Sequence, residues 1–466
     1  MSTFLDPAEW AQQEFGSVDL GDPRRTKRLV RSAELLSTRP SGSLPQRLDW
    51  NELRGFYRLV DQSTATPDRI QEGHRQRTRD RMNRTDPVLI IHDTTELDYT
   101  SHPALHQEVG PIGNGHGKGV LQHNRLAFAP QTHELLGLVY QQMELRQPQP
   151  DQETRSKRRL REDRESHLWT DGIAGVGPAP EGCLWVNVVD SGGDLFAVMQ
   201  QSLALNHAFL IRLCQNRKVV LDDAQGEEIA NDLRDAAREF VGVDTQKLEI
   251  ASRGGRPARV ADLQIAWQRM RILPPTGEAQ YRGAEAIELT VIRVWEPNPP
   301  VGVEGLEWVL GCSLEVKDAA QAWQYRDWYE YRWPLAEDYH KVEKTGCGEQ
   351  ELRFETWPRM AAALAVIAVI AVRVLSLRWQ WDSQPHADAE RVASRVEIAL
   401  VAKVTKGAKA KRYTVKWFVE SVAKLGGYLG HRGDGPPGWM SLWRGYQRLA
   451  DILLGYELIH DPDESD

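Results

Sequence analysis

Cysteine is scarce in this chain: four in 466 residues, Cys183, Cys214, Cys312 and Cys347. No two of them stand as C-x-x-C, which argues against a zinc ribbon or a disulfide framework and fits a reducing, cytoplasmic setting. Long apolar runs are few as well. The conspicuous one, "MAAALAVIAVIAV" from Met360 to Val372, stops at Arg373. It is shorter than the ~20 residues that cross a bilayer, so a core helix is expected and no membrane partner. No basic segment followed by an apolar stretch opens the sequence, and no secretory signal is expected. An excess of positive charge is also missing, the net charge being −8. That average argues against a uniformly basic surface. Hydrophobic content of 41% and charged content of 27% are ordinary for a globular protein. The length suits roughly two to four domains.

The average charge conceals clustering. Bases gather in "RRTKRLVR" (24–31), "HRQRTRDRMNR" (74–84), "TRSKRRLR" (154–161) and "KVTKGAKAKRYTVK" (403–416). Any one of these is compatible with a wetted surface; four together point to DNA or RNA, because contact with phosphates depends on local patches. The first lies on a helix that Asp22-Pro23 is suited to start. Leu29, Ala33 and Leu36 make its apolar stripe, while Arg24, Lys27, Arg28 and Arg31 share another face. Residues 1–75 read as a helical domain.

Acids stand at telling places. "DPVLIIHDTTELDYT" (86–100) reads as a buried strand with Asp93 near its end. Two further strands, 119–130 and 135–145, follow across a short turn. A basic, helix-like segment (152–175) leads to "CLWVNVVDSGGDLFAVM" (183–199), a strand ending at Asp190, then Gly192-Gly193 and a helix. A turn aspartate commonly caps the next element. Two aspartates closing two apolar strands also suit a metal site, since clustered carboxylates repel unless a cation neutralises them.

From about 245 to 315 the pattern changes to period two: Leu263, Ile265 and Trp267 alternate, as do Leu306, Trp308, Leu310 and Cys312. That predicts antiparallel strands forming an inserted β subdomain. Beyond about 375 the chain reads as helical. Val415, Phe418, Val419, Val422 and Leu425 form one stripe; Trp439, Leu442, Trp443, Tyr446, Leu449 and Leu453 form another, suited to a helix hairpin, a partner interface or the core.

The densest mixture of charge is "YRWPLAEDYHKVEKTGCG" (331–348). Pro334 suits a first helical position, predicting a helix through Lys344. Glu337, Lys341 and Lys344 then share one face, either a solvated stripe or a carboxylate flanked by phosphate-binding bases.

Taken together, these segments resemble the cut-and-paste DDE transposases of the insertion-sequence-four group, the transposon-five-like branch in particular, over nearly the whole length. The resemblance is carried by "FGSVDLGDPRRTKRLV" (15–30), "HDTTELDYT" (92–100), "RGGRPARVADLQIAW" (253–267), "YEYRWPLAEDYHKVEKTG" (329–346) and "LGGYLGHRGDGPPGWMSLWRGYQRL" (425–449). The fourth is similar to the family's Y-x2-R-x3-E-x6-K signature. The resemblance implies an α/β fold: a ribonuclease-H-like catalytic core (76–375, with the β subdomain at 245–315 inserted), an N-terminal helical domain (1–75) that binds transposon-end DNA, and a C-terminal helical dimerisation region (376–466). It implies Asp93, Asp190 and Glu337 as catalytic residues and ligands of Mg2+, with Mn2+ able to substitute. Tyr329, Arg332 and Lys344 match DNA-contacting positions, and Trp308 matches a tryptophan that stacks on a flipped base. Nicking, hairpin formation, hairpin opening and transfer into target DNA by a homodimer are the implied steps. Two departures stand out: four residues rather than three separate Arg332 from Glu337, and Ser191 follows Asp190 where the family often has Arg. A catalytically inactive or domesticated relative that only binds DNA, and a plain metal-dependent nuclease, are the alternative readings.

Overall fold

The computed structural model describes residues 7–39, 42–147, 166–222, 228–250, 257–276, 278–405, 412–431 and 436–460. The basic cluster at 154–161 and residues 406–411 of the one at 403–416 lie outside the described residues. The chain forms two compact units: residues 1–85, 94–154 and 335–466 make one, and residues 86–93 with 155–334 make the other.

The first unit begins with α1 (Pro7–Phe15), α2 (Pro23–Thr38), α3 (Leu44–Arg47), α4 (Trp50–Val60) and α5 (Pro67–Met82). The Asp22 side chain accepts from Arg24 N and caps α2, with Pro23 in the first turn, as expected. Leu29, Ala33 and Leu36 are buried. The second basic cluster, on α5, is largely consumed inside the fold. His74 Nδ1 lies 2.7 Å and Arg81 Nη2 2.6 Å from the buried carboxylate of Glu14. Burial alone pushes that carboxyl up, but His74 and Arg81 beside it outweigh burial and hold it at about 2. Arg75 is buried too, its guanidinium 4.6 Å from the Tyr140 ring centre.

Strand β1 (Val88–Asp98) gives its residues after Asp93 to this unit, where they lie beside β3 (Gly117–Ala129); β3 also pairs antiparallel with β2 (Gly110–Ile112) and β4 (Glu134–Glu144). A helix from Trp357 to Ser383 packs on α5 and β4. It continues well past the apolar run at its centre and is long and apolar enough to cross a membrane, yet 83% of its apolar window is buried in the fold. It is the core helix that the run predicts. The C-terminal helices Val415–Leu425 and Trp439–His460 turn their stripes toward each other: Val415, Phe418, Val419 and Val422 pack with Leu442 and Leu449. Glycines allow the approach. A Cβ on Gly445 would fall 1.8 Å from the Val422 carbonyl oxygen, and one on Gly426 1.9 Å from that of Ser441. A helix hairpin is one of the uses expected of the two stripes, and these residues form one within the chain.

The second unit is built on a sheet. The first half of β1 runs parallel to β5 (Trp185–Val189), and β5 parallel to β6 (Ala208–Arg212). Next come β7 (Lys218–Asp222), β8 (Glu228–Asp232), β9 (Asp244–Ile250), β10 (Arg259–Ile272), β11 (Ile287–Trp295) and β12 (Glu307–Cys312). All of these pair antiparallel, with β10 bonded to β7, β9 and β11, and β11 to β12. The expected antiparallel strands are there. They prolong the sheet, because β12 bonds antiparallel to β6, with Leu310 opposite Arg212. The whole chain is therefore a mixed α/β protein with helices at both ends.

Candidate active site and nucleic-acid face

The parallel pairing of β1 and β5 sets Ile91 opposite Val188. Two residues further along each strand stand Asp93 and Asp190, so the register itself brings the two carboxylates side by side. Asp93 is not at the end of its strand as expected: β1 continues to Asp98, because its later residues find a partner in β3. What ends at Asp93 is the fully buried part, Val88–His92. Asp190 does two jobs. Its Oδ1 accepts from Gly192 N at 2.8 Å and caps the turn Ser191–Gly193, the role expected of a turn aspartate. Its Oδ2 faces a cation.

That cation is Arg332. Its Nη1 lies 2.8 Å from Asp93 Oδ1 and 3.9 Å from Asp190 Oδ2. The side chain is only 9% exposed, and the Trp333 ring centre lies 5.0 Å from the guanidinium carbon. Tyr329, expected as a DNA contact, is buried on the helix Ala319–Glu330 beside this site; burial raises its phenol, against the fields of Arg332 and Arg212. Behind the carboxylates runs a buried polar chain that sequence reading missed. His92 Nε2 meets Asn187 Oδ1 at 3.0 Å, and Asn187 Nδ2 meets His207 Nδ1 at 3.1 Å. His207 Nε2 then donates to the Gly177 carbonyl at 2.9 Å. This pattern needs a neutral imidazole at His207, and burial lowers its pKa to about 4. Asp194, fully buried, pairs with Arg217 and accepts from Cys214 N and Gln215 N at 2.7 Å each, fixing the segment after β6.

The charged strip is helical, but not a regular helix starting at Pro334. Trp333–Glu337 is a wide π turn, Asp338–Lys341 is α-helical and Val342–Gly346 is a second π turn. A π turn holds one residue more than an α turn. Trp333–Glu337 thus accommodates within the helix one residue more than an ordinary turn would hold. Glu337 and Lys341 form the expected pair, 3.1 Å apart, with the Glu337 side chain 40% exposed. Neighbouring Asp338 is more enclosed, its carboxyl raised by burial and faced by Arg378. Of the two, Glu337 is the acid open to an outside ligand. Lys344 Nζ donates to Thr95 Oγ1. Glu337 and Lys344 belong to the first unit, Asp93, Asp190 and Arg332 to the second. Among the described residues no group of three or more His, Cys, Asp or Glu side chains forms a ready metal cage. The two aspartates are a hard-oxygen half-site of the kind Mg2+ or Mn2+ accepts, with a guanidinium across it.

Trp308 lies on β12 opposite Val294 and is half-buried. On α2, Arg24 is open but paired with Asp22 at 2.8 Å. Arg28 pairs with Glu52, and Arg31 lies 2.6 Å from Glu34 and 3.5 Å from Glu52. Lys27 is exposed. The sequence reading overlooked α4. Asp49 caps it, and Trp50 stands 70% exposed at its first turn with Arg54 5.8 Å from its ring centre. Arg58, one turn on, is exposed on the same face. An isolated exposed tryptophan beside arginines is the signal that pattern-counting for core positions discards. Residues 7–65, spanning α1 to α4, match a family model described as transposase DNA-binding. The chain carries a transposase DNA-binding domain at its N-terminal end, and this supports a transposase that binds DNA.

Proposed function

We propose that the chain is a cut-and-paste DNA transposase of the insertion-sequence-four type, acting on its own terminal inverted repeats through Asp93, Asp190 and Glu337. One observation carries the proposal: in a chain with a transposase DNA-binding domain, two strand-borne aspartates are brought by parallel register onto a single cation position. The order β1–β5–β6, all parallel, with β3 and β4 antiparallel beyond the other half of β1, is in keeping with a ribonuclease-H-like core. Asp93, Asp190 and Glu337 would hold Mg2+ through hard carboxylate oxygens, and such an ion would supply a lowered pKa for attacking water and charge stabilisation of the leaving oxygen. Arg332 and Lys344 neutralise phosphates of the cleaved strand, and Tyr329 buttresses Arg332. Half-buried Trp308 stacks on a base displaced when the end folds into a hairpin, offsetting about 1–3 kcal/mol of lost stacking. The α2 and α4 bases hold end DNA, and a homodimer brings two ends together for joining to target DNA.

The test is cleavage of the chain's own flanking terminal repeats with Mg2+. Asp93→Asn, Asp190→Asn and Glu337→Gln are each expected to abolish cleavage and leave end binding intact. If Asp338→Asn removes activity and Glu337→Gln does not, the third ligand is wrongly assigned. A second reading, a DNA-binding relative without catalysis, is favoured by one feature: Arg332 already neutralises the two aspartates. End binding with no nicking in either Mg2+ or Mn2+ would establish it.

A further inference from the structure

Arg332 is held in an incomplete way. One nitrogen, Nη1, serves both carboxylates, while the buried Nε has no hydrogen-bond partner among the described residues. The edge of a guanidinium that grips an oxyanion uses two N–H groups in parallel, and one of those donors is idle here. The aspartates, for their part, need a cation: side by side in a partly enclosed site they repel unless neutralised. A divalent ion on the same carboxylates would share its seat with a guanidinium charge of like sign, and the two exclude each other.

We infer that Arg332 is an exchangeable counter-ion: it closes the Asp93–Asp190 pair in the free protein and leaves when metal and a DNA phosphate arrive together, the metal taking the carboxylates and the phosphate taking the guanidinium. This rests on the metal-binding reading of the two aspartates. It makes metal and DNA mutually dependent ligands, since whatever DNA does for metal affinity, metal does equally for DNA affinity. The free protein then binds divalent ions poorly, and the cleavage machinery is charged only on an end. The Trp333 ring beside the guanidinium gives the arginine a cation–π neighbour in this seat.

The experiment measures Mn2+ binding to the full chain by the EPR signal of the free ion, with and without a duplex of its terminal repeat. Without DNA, Arg332→Gln is expected to bind Mn2+ about tenfold more tightly than the unaltered chain, within the usual range of coupling between sites. The duplex is expected to tighten Mn2+ binding by a similar factor in the unaltered chain and to have little effect in Arg332→Gln. Asp93→Asn placed on Arg332→Gln should abolish the gain. Arg332→Lys, which keeps the charge and loses the fork, serves if the Gln variant does not fold and should fall between. Mn2+ affinity unchanged or weaker in Arg332→Gln, with Asp93→Asn still lowering it, overturns the exchange and leaves the metal site standing. Mn2+ binding indifferent to both Asp93→Asn and Asp190→Asn overturns the metal site, and the exchange with it.

Discussion

The arginines of α2 and the arginine of the strand-end site are held in opposite ways. Arg31 lies on the surface, about half exposed, against Glu34 and Glu52. Pairs of that kind contribute about 0–1 kcal/mol, and salt or a phosphate replaces them easily. Arg332 is nearly enclosed, and its partners Asp93 and Asp190 are partly enclosed with it. Such a pair is costly to break from one side, because the remaining charge is stranded. The same residue type therefore gives easily replaced surface pairs at one place and, at another, an enclosed contact that is released only when other charges take over both partners. The difference is set by burial, not by distance: the Arg31–Glu34 and Arg332–Asp93 separations are 2.6 and 2.8 Å.

The contrast can be broken most directly at Asp93. Asp93→Ala leaves the guanidinium only the more distant Asp190, 3.9 Å away, and urea unfolding is expected to show a loss approaching about 3 kcal/mol, the lower end for a fully stranded charge. A loss below 1 kcal/mol would mean that Arg332 relaxes to solvent and is no more committed than Arg31. His207 tests burial of charge nearby. Its folded pKa, about 4, lies below the ordinary value of 6.5. The unfolded chain thus takes up the proton first, and stability present above pH 6.5 is lost as pH falls toward 4. By pH 4 the contribution amounts to on the order of 3 kcal/mol. His207→Gln should flatten that part of the stability profile; an unaltered slope would show that His207 is not its source. A smaller effect is expected at the α4 cap, where Asp49→Ala should cost about 1 kcal/mol in thermal or urea unfolding. The smallest is on α2 itself. Arg31→Ala should shift stability by less than about 0.5 kcal/mol. Lys27→Ala should lower the slope of log affinity for DNA against log salt by about 1. Salt slopes unchanged by such substitutions would separate the α2 face from the DNA contact.

Much of this was legible in the sequence for a physical reason. Apolar runs that end on acids mark strands leaving a core, so Asp93 and Asp190 could be picked out singly. The side-chain period gave the strands at 259–272 and 307–312 and the C-terminal helices. The position of Arg332 was not legible, since it meets Asp93 across 239 residues and such a pairing leaves no periodic trace. Nor was the fate of the second basic cluster, whose charges are met by Glu14 on another helix. The stripes from Val415 and Trp439 announced apolar faces; that they choose each other depends on Gly426 and Gly445, whose significance appears only when two backbones meet.

The wide turn at Trp333–Glu337 makes the length of this segment negotiable. A bulge that stores one residue can also give it up, restoring an ordinary turn while the residues beyond keep their phase. Fixed-interval sequence signatures count positions along the chain, whereas a helix with a stored residue conserves direction instead. A residue can therefore leave or enter this turn with little change in the phase of the helix beyond it, so that what the fold holds constant here is direction and not interval.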